Sequence, residues 1–222
     1  MLLDKDIREP LFSFLEIKYG KNRILEEKNM GRSRADIVMV LPGKVWGIEI
    51  KSDADTYARL KSQTKDYDTY FDANIIVVGS SHGNHVEEHV PEHWGIITVE
   101  LVENVPDFYM LRDPKPNPKI TLAKKLEILW RPELAKLQEL HDMPKYEYLS
   151  KKNLIQKFVE RASYPSEKKG FLDEGVLKEE ISELLFEREY SQIRDQINAF
   201  RAEKGLHKRK RRRYKRRKKT VE

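Results

Sequence analysis

The stretch RADIVMVLPGKVWGIEIKSDADTYARLKSQTKDYDTYF, residues 34–71, decides how the chain is read. Asp36 opens an apolar run, Pro42-Gly43 supplies a tight turn, and a second run ends in Glu49-Ile50-Lys51 before a polar helix begins. The pattern predicts strand, turn, strand, helix. Side chains alternate along a strand, so Glu49 and Lys51 share one face while Ile48 and Ile50 point into a core. Two acids and a lysine then meet at one sheet edge. Carboxylates at the ends of adjacent strands offer hard oxygen ligands suited to Mg2+ or Mn2+, ions that keep several waters and bind phosphate oxygens. A lysine beside them can orient or help deprotonate the attacking water and offset charge that builds on a phosphate. This chemistry is metal-assisted hydrolysis of a phosphodiester. Against it, Glu-x-Lys on an exposed strand face and Asp at a strand start are ordinary features.

Context gives the tripeptide its weight. Asp36 on one strand and Glu49-Ile50-Lys51 on the next resemble the signature of the PD-(D/E)XK, or restriction-endonuclease-like, nuclease superfamily. The following helix adds Gln63-Thr64-Lys65-Asp66-Tyr67, which is similar to the Q-x-x-x-Y motif of the RecB-like and lambda-exonuclease-like branches. Glu49 to Ser52 with Asp55, Arg59, Leu60 and Gln63 resembles a small bacterial and phage branch. Ala35-Asp36 stands where the name-giving pattern has Pro-Asp, and the resemblance covers residues 4 to about 100. It implies a mixed α/β core of order α-β-β-β-α-β-α-β flanked by helices, a DNA substrate, and Mg2+ or Mn2+ as cofactor. It also implies Asp36, Glu49 and Lys51 as catalytic residues, with Asp36, Glu49 and the backbone of Ile50 on the metal.

A third acid has two candidates. Glu27, in a strand expected over residues 22–30, would neighbour Asp36 if that strand pairs with the next. Glu9 lies in the first turns of a helix expected over residues 4–19, where some superfamily members carry an acid; helix-surface acids are mostly solvated. Arg34 either contacts substrate phosphate, pairs with a site carboxylate, or is a surface arginine. Asp55, Arg59, Gln63 and Tyr67 recur every four positions and predict one polar helix stripe facing the site, where Gln63 and Tyr67 could hold a metal ligand or touch phosphate. Ser52 with Asp55 also fits a capping box, which alone explains Asp55.

Composition limits the alternatives. The 222 residues contain no cysteine, so disulfides, zinc thiolates and cysteine nucleophiles are excluded. No apolar run is long enough for a membrane span or a signal peptide, and the cytoplasm is the default compartment. The net charge of +6 hides an asymmetry: residues 208–222 hold eleven Lys/Arg and one acid, so residues 1–207 carry 32 basic against 36 acidic side chains. Lys208, Arg209, Lys210, Arg211, Arg212 and Arg213, then Lys215, Arg216, Arg217, Lys218 and Lys219 beyond Tyr214, form a tail that cannot fold alone. A nucleic-acid backbone is its natural counter-ion, bound without sequence preference; solubility or an acidic protein partner are the competing readings.

Elsewhere, residues 74–79 and 94–101 are short apolar runs expected as buried strands. Four histidines fall within residues 82–93; a zinc site is conceivable there, but no zinc pattern matches. The expected organisation is a nuclease-like core over 1–105, a proline-rich linker over 106–120 with one short strand possible at 107–111, a helical region over 121–205, and the disordered basic tail over 206–222. In the helical region Leu122, Leu126, Leu129 and Trp130, then Leu134, Leu137 and Leu140, mark apolar faces. Ser150 caps a third helix, and Asp173 precedes a long one reaching Lys204 with Val176 and Ile193 among its buried residues. The functional expectation is a metal-dependent deoxyribonuclease of DNA repair, recombination or phage DNA processing; the oligomeric state is open, with a homodimer or recruitment into a larger DNA-processing complex as the options. The alternative is a catalytically weak, nucleic-acid-binding accessory protein recruited by its helical half; an RNase is a weaker third.

Overall fold

The computed structural model describes residues 2–30, 33–79, 83, 85–146 and 148–188. An open six-stranded sheet has the order β1-β2-β3-β4-β5-β6, with β1 at Arg23–Met30, β2 at Ser33–Leu41, β3 at Lys44–Lys51, β4 at Ala73–Gly79, β5 at Gly95–Val102 and β6 at Val105–Arg112. The β1/β2, β2/β3 and β5/β6 pairs are antiparallel, while β3/β4 and β4/β5 are parallel. Helix α1 (Asp4–Tyr19) covers one face, and α2 (Leu60–Tyr70) crosses between β3 and β4 on the other.

Alternation along the strands sorts the side chains. Ile37, Met39, Ile48 and Ile50 join Ile7, Leu11 and Leu15 of α1 in one buried cluster. Val38, Val40 and Val45 point the other way and pack with Tyr67 and Phe71 around α2. A third layer lies over that second face: α3 (Leu122–Glu127), α4 (Arg131–Leu140), α5 (Lys151–Ala162) and α6 (Glu174–Glu187). Their Leu126, Leu134, Leu154, Phe158, Leu177 and Ile181 belong to the same apolar cluster as the sheet.

This shared core differs from the domain division expected from composition. Residues 1–186 form one compact unit, and the proline-rich stretch contributes β6 along with a segment returning toward α3. Pro106 is tolerated because β6 is an edge strand. Asn117, from the same stretch, donates through Nδ2 to the carbonyls of Asp68 and Phe71 and so ties it to the end of α2. The α3 residue Lys125, 1% exposed, reaches the carbonyl of Gly43 at 2.9 Å and Asp72 at 2.8 Å, fastening that helix to the β2–β3 turn. At the turn itself Gly43 has φ +68°, a conformation glycine adopts without Cβ strain.

Several local expectations change. Helix α2 begins at Leu60 rather than just after Ser52; a turn and a 3-10 segment at Tyr57–Arg59 intervene. Asp55 accepts from the Ser52 amide and hydroxyl, so it closes a turn without starting a helix. Asp55 and Arg59 therefore do not share a helix stripe with Gln63 and Tyr67. Between β4 and β5 the described residues include a 3-10 turn at Val86–Glu88, while residues 80–82 and 84 of the expected crossover helix lie outside the described residues. Trp130, Leu140 and Val176, expected in the core, are exposed. Residues 189–222, on which Ile193, the remainder of the expected long helix and the whole basic tail fall, lie outside the described residues.

Candidate active site

Register brings the motif together. The β2/β3 ladder pairs Ile37 with Ile48, so one step further along Asp36 stands across from Glu49. Glu49 and Lys51, two residues apart on β3, both reach side chains of α2, while the Asp36 carboxylate turns to the Ile50 amide of β3. Asp36, Glu49, Ile50 and Lys51 line a cleft of about 550 Å³ at this end of the sheet, and Arg34, Asp55, Arg59 and Gln63 stand around it.

Glu49 is 1% exposed and has both oxygens engaged. Its Oε1 accepts from Lys51 Nζ at 2.6 Å and from Gln63 Nε2; its Oε2 accepts from the Tyr67 hydroxyl at 2.7 Å. Lys51 Nζ also reaches Gln63 Oε1 at 3.2 Å. The Tyr67 oxygen in turn accepts from the Asp36 amide at 3.2 Å, so this one hydroxyl bridges β2 and β3. Gly47 makes this possible: a Cβ there would collide with the rings of Tyr67 and Phe71, so only glycine lets α2 settle close enough for Tyr67 to reach Glu49. Burial first, then the Glu49 and Asp36 charges, push the Tyr67 phenol well above its ordinary value, keeping it a proton donor.

Asp36 is held differently. Its Oδ2 accepts from the Ile50 amide at 2.9 Å, which orients the carboxyl from β3. Burial, followed by repulsion from Glu49, raises its pKa to about 7; the Ile50 amide, Lys51 and Arg8 oppose the rise only in part. Two acids compressed in this way fit a divalent cation, whose charge relieves the repulsion that otherwise retains a proton.

The third acid does not join them. Glu27 lies opposite Asp36 in the β1/β2 register and lines the cleft, but at φ +51° it is half-exposed and paired with Arg34 at 3.1 Å. Arg34 thus meets Glu27 rather than Asp36 or Glu49. Glu9 is exposed and lies outside the cleft: Ile7 and Leu11 define the inward side of α1, and Arg8, not Glu9, borders the site. Among the described residues no three His, Asp or Glu side chains are grouped to hold a metal ion. The histidine segment does not assemble either. His93 pairs with buried Asp68, His89 packs at a tilt against Tyr57, His85 lies 3.6 Å from Glu88, and His82 is outside the described residues.

Two features escaped the sequence. Arg8 enters the cleft from α1, bonded to Asp4 four residues earlier; an i, i+4 acid-base pair on a helix is common enough that it does not single out a site. Asp68, 3% exposed, accepts from Asn74, His93, Trp94 and Lys119, and no local pattern announces partners so far apart in the chain.

Comparison with known proteins adds a family. The family model described as bacteriophage P4 protein cII matches residues 4–204. No curated protein matches the chain. Among solved structures, SfsA from Pyrococcus furiosus in complex with Ca2+ is similar at 15% identity and a TM-score of 0.29; the match covers 53% of this chain and 62% of that one, less than two thirds of its length. No helix among the described residues is long and apolar enough to cross a membrane.

Proposed function

The chain belongs to the bacteriophage P4 protein cII family, and from that premise we propose that it is a Mg2+- or Mn2+-dependent nuclease that hydrolyses phosphodiester bonds of DNA in a phage-associated process. The observation that carries the reading is the convergence of Asp36, Glu49 and Lys51 in one cleft, with Asp36 driven toward its protonated form by burial and by Glu49. Asp36 and Glu49 would hold the ion with the Ile50 backbone beside them. The bound ion supplies Lewis acidity at the phosphate and lowers the pKa of a water. Lys51, anchored by Glu49 and Gln63, orients the attacking water and offsets developing negative charge. Gln63 and Tyr67 keep Glu49 in place, and Tyr67 also braces the Asp36 backbone. The core, with α1 before β1–β3 and α2 crossing from β3 to the parallel β4 and β5, is compatible with the restriction-endonuclease-like arrangement.

Among the described residues, few apolar groups and no aromatic ring line the cleft. It therefore addresses the sugar-phosphate backbone rather than stacked bases, and the basic tail beyond residue 207 would add sequence-independent affinity for DNA. One observation favours a second reading, an accessory DNA-binding protein with weak activity: Glu49 is already engaged at both oxygens, and among the described residues no third acid completes the site. Cleavage of linear, nicked and single-stranded DNA in Mg2+ or Mn2+, with Asp36→Asn and Lys51→Ala beside the wild type, separates the two. Metal-dependent cleavage lost in both variants supports the nuclease. DNA binding without cleavage in the wild type supports the accessory role.

A further inference from the structure

We propose that Arg8 is a phosphate-binding residue of this site, taking a non-bridging oxygen of the scissile phosphate through its Nη2 edge; the assignment rests on the phosphodiesterase reading above. Arg8 sits on α1, a helix that otherwise serves to cover the opposite face of the sheet. Its guanidinium nonetheless lines the cleft, with the side chain 15% exposed. Three bonds aim it. Nε donates to Asp4 Oδ2 at 2.7 Å, and Nη1 donates to Glu26 Oε2 at 3.2 Å and to the Asp36 carbonyl at 3.3 Å. Among the described residues these leave Nη2 without a hydrogen-bond acceptor. Its approach to Asp36 Oδ1 is 4.0 Å, beyond hydrogen-bond length.

A guanidinium fixed on two nitrogens, with the third directed beside a candidate metal carboxylate, is arranged for an anion that is not yet there. Planar N–H groups match phosphate oxygens in a way that a lysine ammonium does not. The other arginines of the cleft are less suited: Arg34 is 57% exposed and paired with Glu27, and Arg59 is exposed. Among these three, Arg8 is both partly desolvated and pre-aimed, so its contact with phosphate would be less screened by water. A divalent ion on Asp36 would neutralise the charge that now draws Nη2 toward that carboxylate, leaving phosphate as its partner.

The test is a binding measurement. Anisotropy of a short labelled duplex is followed in a Lys51→Ala background with Mn2+, at a salt concentration that screens the basic tail. Arg8→Ala is expected to weaken DNA binding about tenfold, as removal of one charge-assisted hydrogen bond should. Arg8→Lys should recover only part, and added methylguanidinium should restore affinity to the alanine variant. Mn2+ affinity, read by thermal shift, should stay the same or tighten because a neighbouring cation is gone. Equal DNA affinity with and without Arg8, or a loss of Mn2+ binding in step with DNA binding, would make it a structural strut and overturn the proposal. Should Arg8→Ala fail to fold, Asp4→Ala keeps the guanidinium but removes the acceptor that anchors its Nε and should weaken DNA binding in the same direction; no change there overturns the aiming argument. A wild-type protein that binds Mn2+ and DNA without cleaving would sink the nuclease reading, yet leave this comparison interpretable.

Discussion

Burial, and then the Glu49 charge, make Asp36 hold its proton toward neutral pH. With its pKa at about 7 in the folded protein and about 4 in the unfolded chain, the folded state holds the proton more tightly. Between those values the unfolded chain has already lost it, so the metal-free protein is expected to lose stability as pH rises through the window and to level off above it. Asp36→Asn should flatten that slope in thermal melts from pH 4 to pH 8; an unchanged slope would place its origin elsewhere. A metal ion must displace the same proton, so the Tm increment from Mn2+ should be larger at pH 8 than at pH 6. Tyr67 lends itself to a separate test. Tyr67→Phe removes the hydroxyl that reaches Glu49 and receives the Asp36 amide, at a cost of about 1.5–3 kcal/mol in denaturant unfolding. Activity should fall with it even where the variant is fully folded, since Glu49 then keeps Lys51 and Gln63 on Oε1 but loses the donor that holds Oε2.

At the level of elements, α2 is the piece that couples packing to chemistry. Gly47→Ala on β3 would drive a methyl group into Tyr67 and Phe71, and overpacking of this kind costs about 1–3 kcal/mol. A folded Gly47→Ala protein with full activity would contradict the view that close α2–β3 packing sets the site. At its other end α2 is held by Asp68. Burial alone would raise this carboxyl, but bonds from Lys119, Trp94 and His93 outweigh it and leave the pKa below the ordinary value. Its contribution is therefore present at neutral pH and is lost as pH falls through the acid range, opposite in sign to Asp36. Asp68→Asn should reduce stability at pH 7 and bring the two proteins closer at acid pH. These couplings mark what sequence could and could not carry. The strand–turn–strand over residues 34–51 was legible because alternation and Pro42-Gly43 are local signals, and the helix at Gln63 and Tyr67 followed. The start of α2 was not, because Ser52 and Asp55 close a turn with the same residues that could have capped a helix. Glu27 sits at the expected register position, but its positive φ and its pairing with Arg34 are set by tertiary context that no local pattern encodes.

Across the whole chain, proline content suggested a boundary near residues 106–120, whereas apolar residues of the sheet and of α3–α6 form one cluster. Prolines report where backbone amides are dispensable, and an edge strand meets that condition as well as a linker does. The C-terminal helices should therefore not be separable from the sheet: a fragment ending near residue 118 is expected to lack cooperative unfolding, and a well-folded fragment would argue for two domains. The basic tail makes a distinct contribution. Removing residues 207–222 should leave Tm unchanged while weakening DNA binding and flattening its dependence on salt, by roughly 0.9 in log-log slope for each phosphate that the tail no longer neutralises. The nuclease reading depends on one pair of carboxylates acting as a cation site. The most direct measurement is an anomalous difference map from crystals grown with Mn2+. The account expects a peak between the carboxylates of Asp36 and Glu49, absent in Asp36→Asn; no density there, or a peak held by other residues, would contradict it.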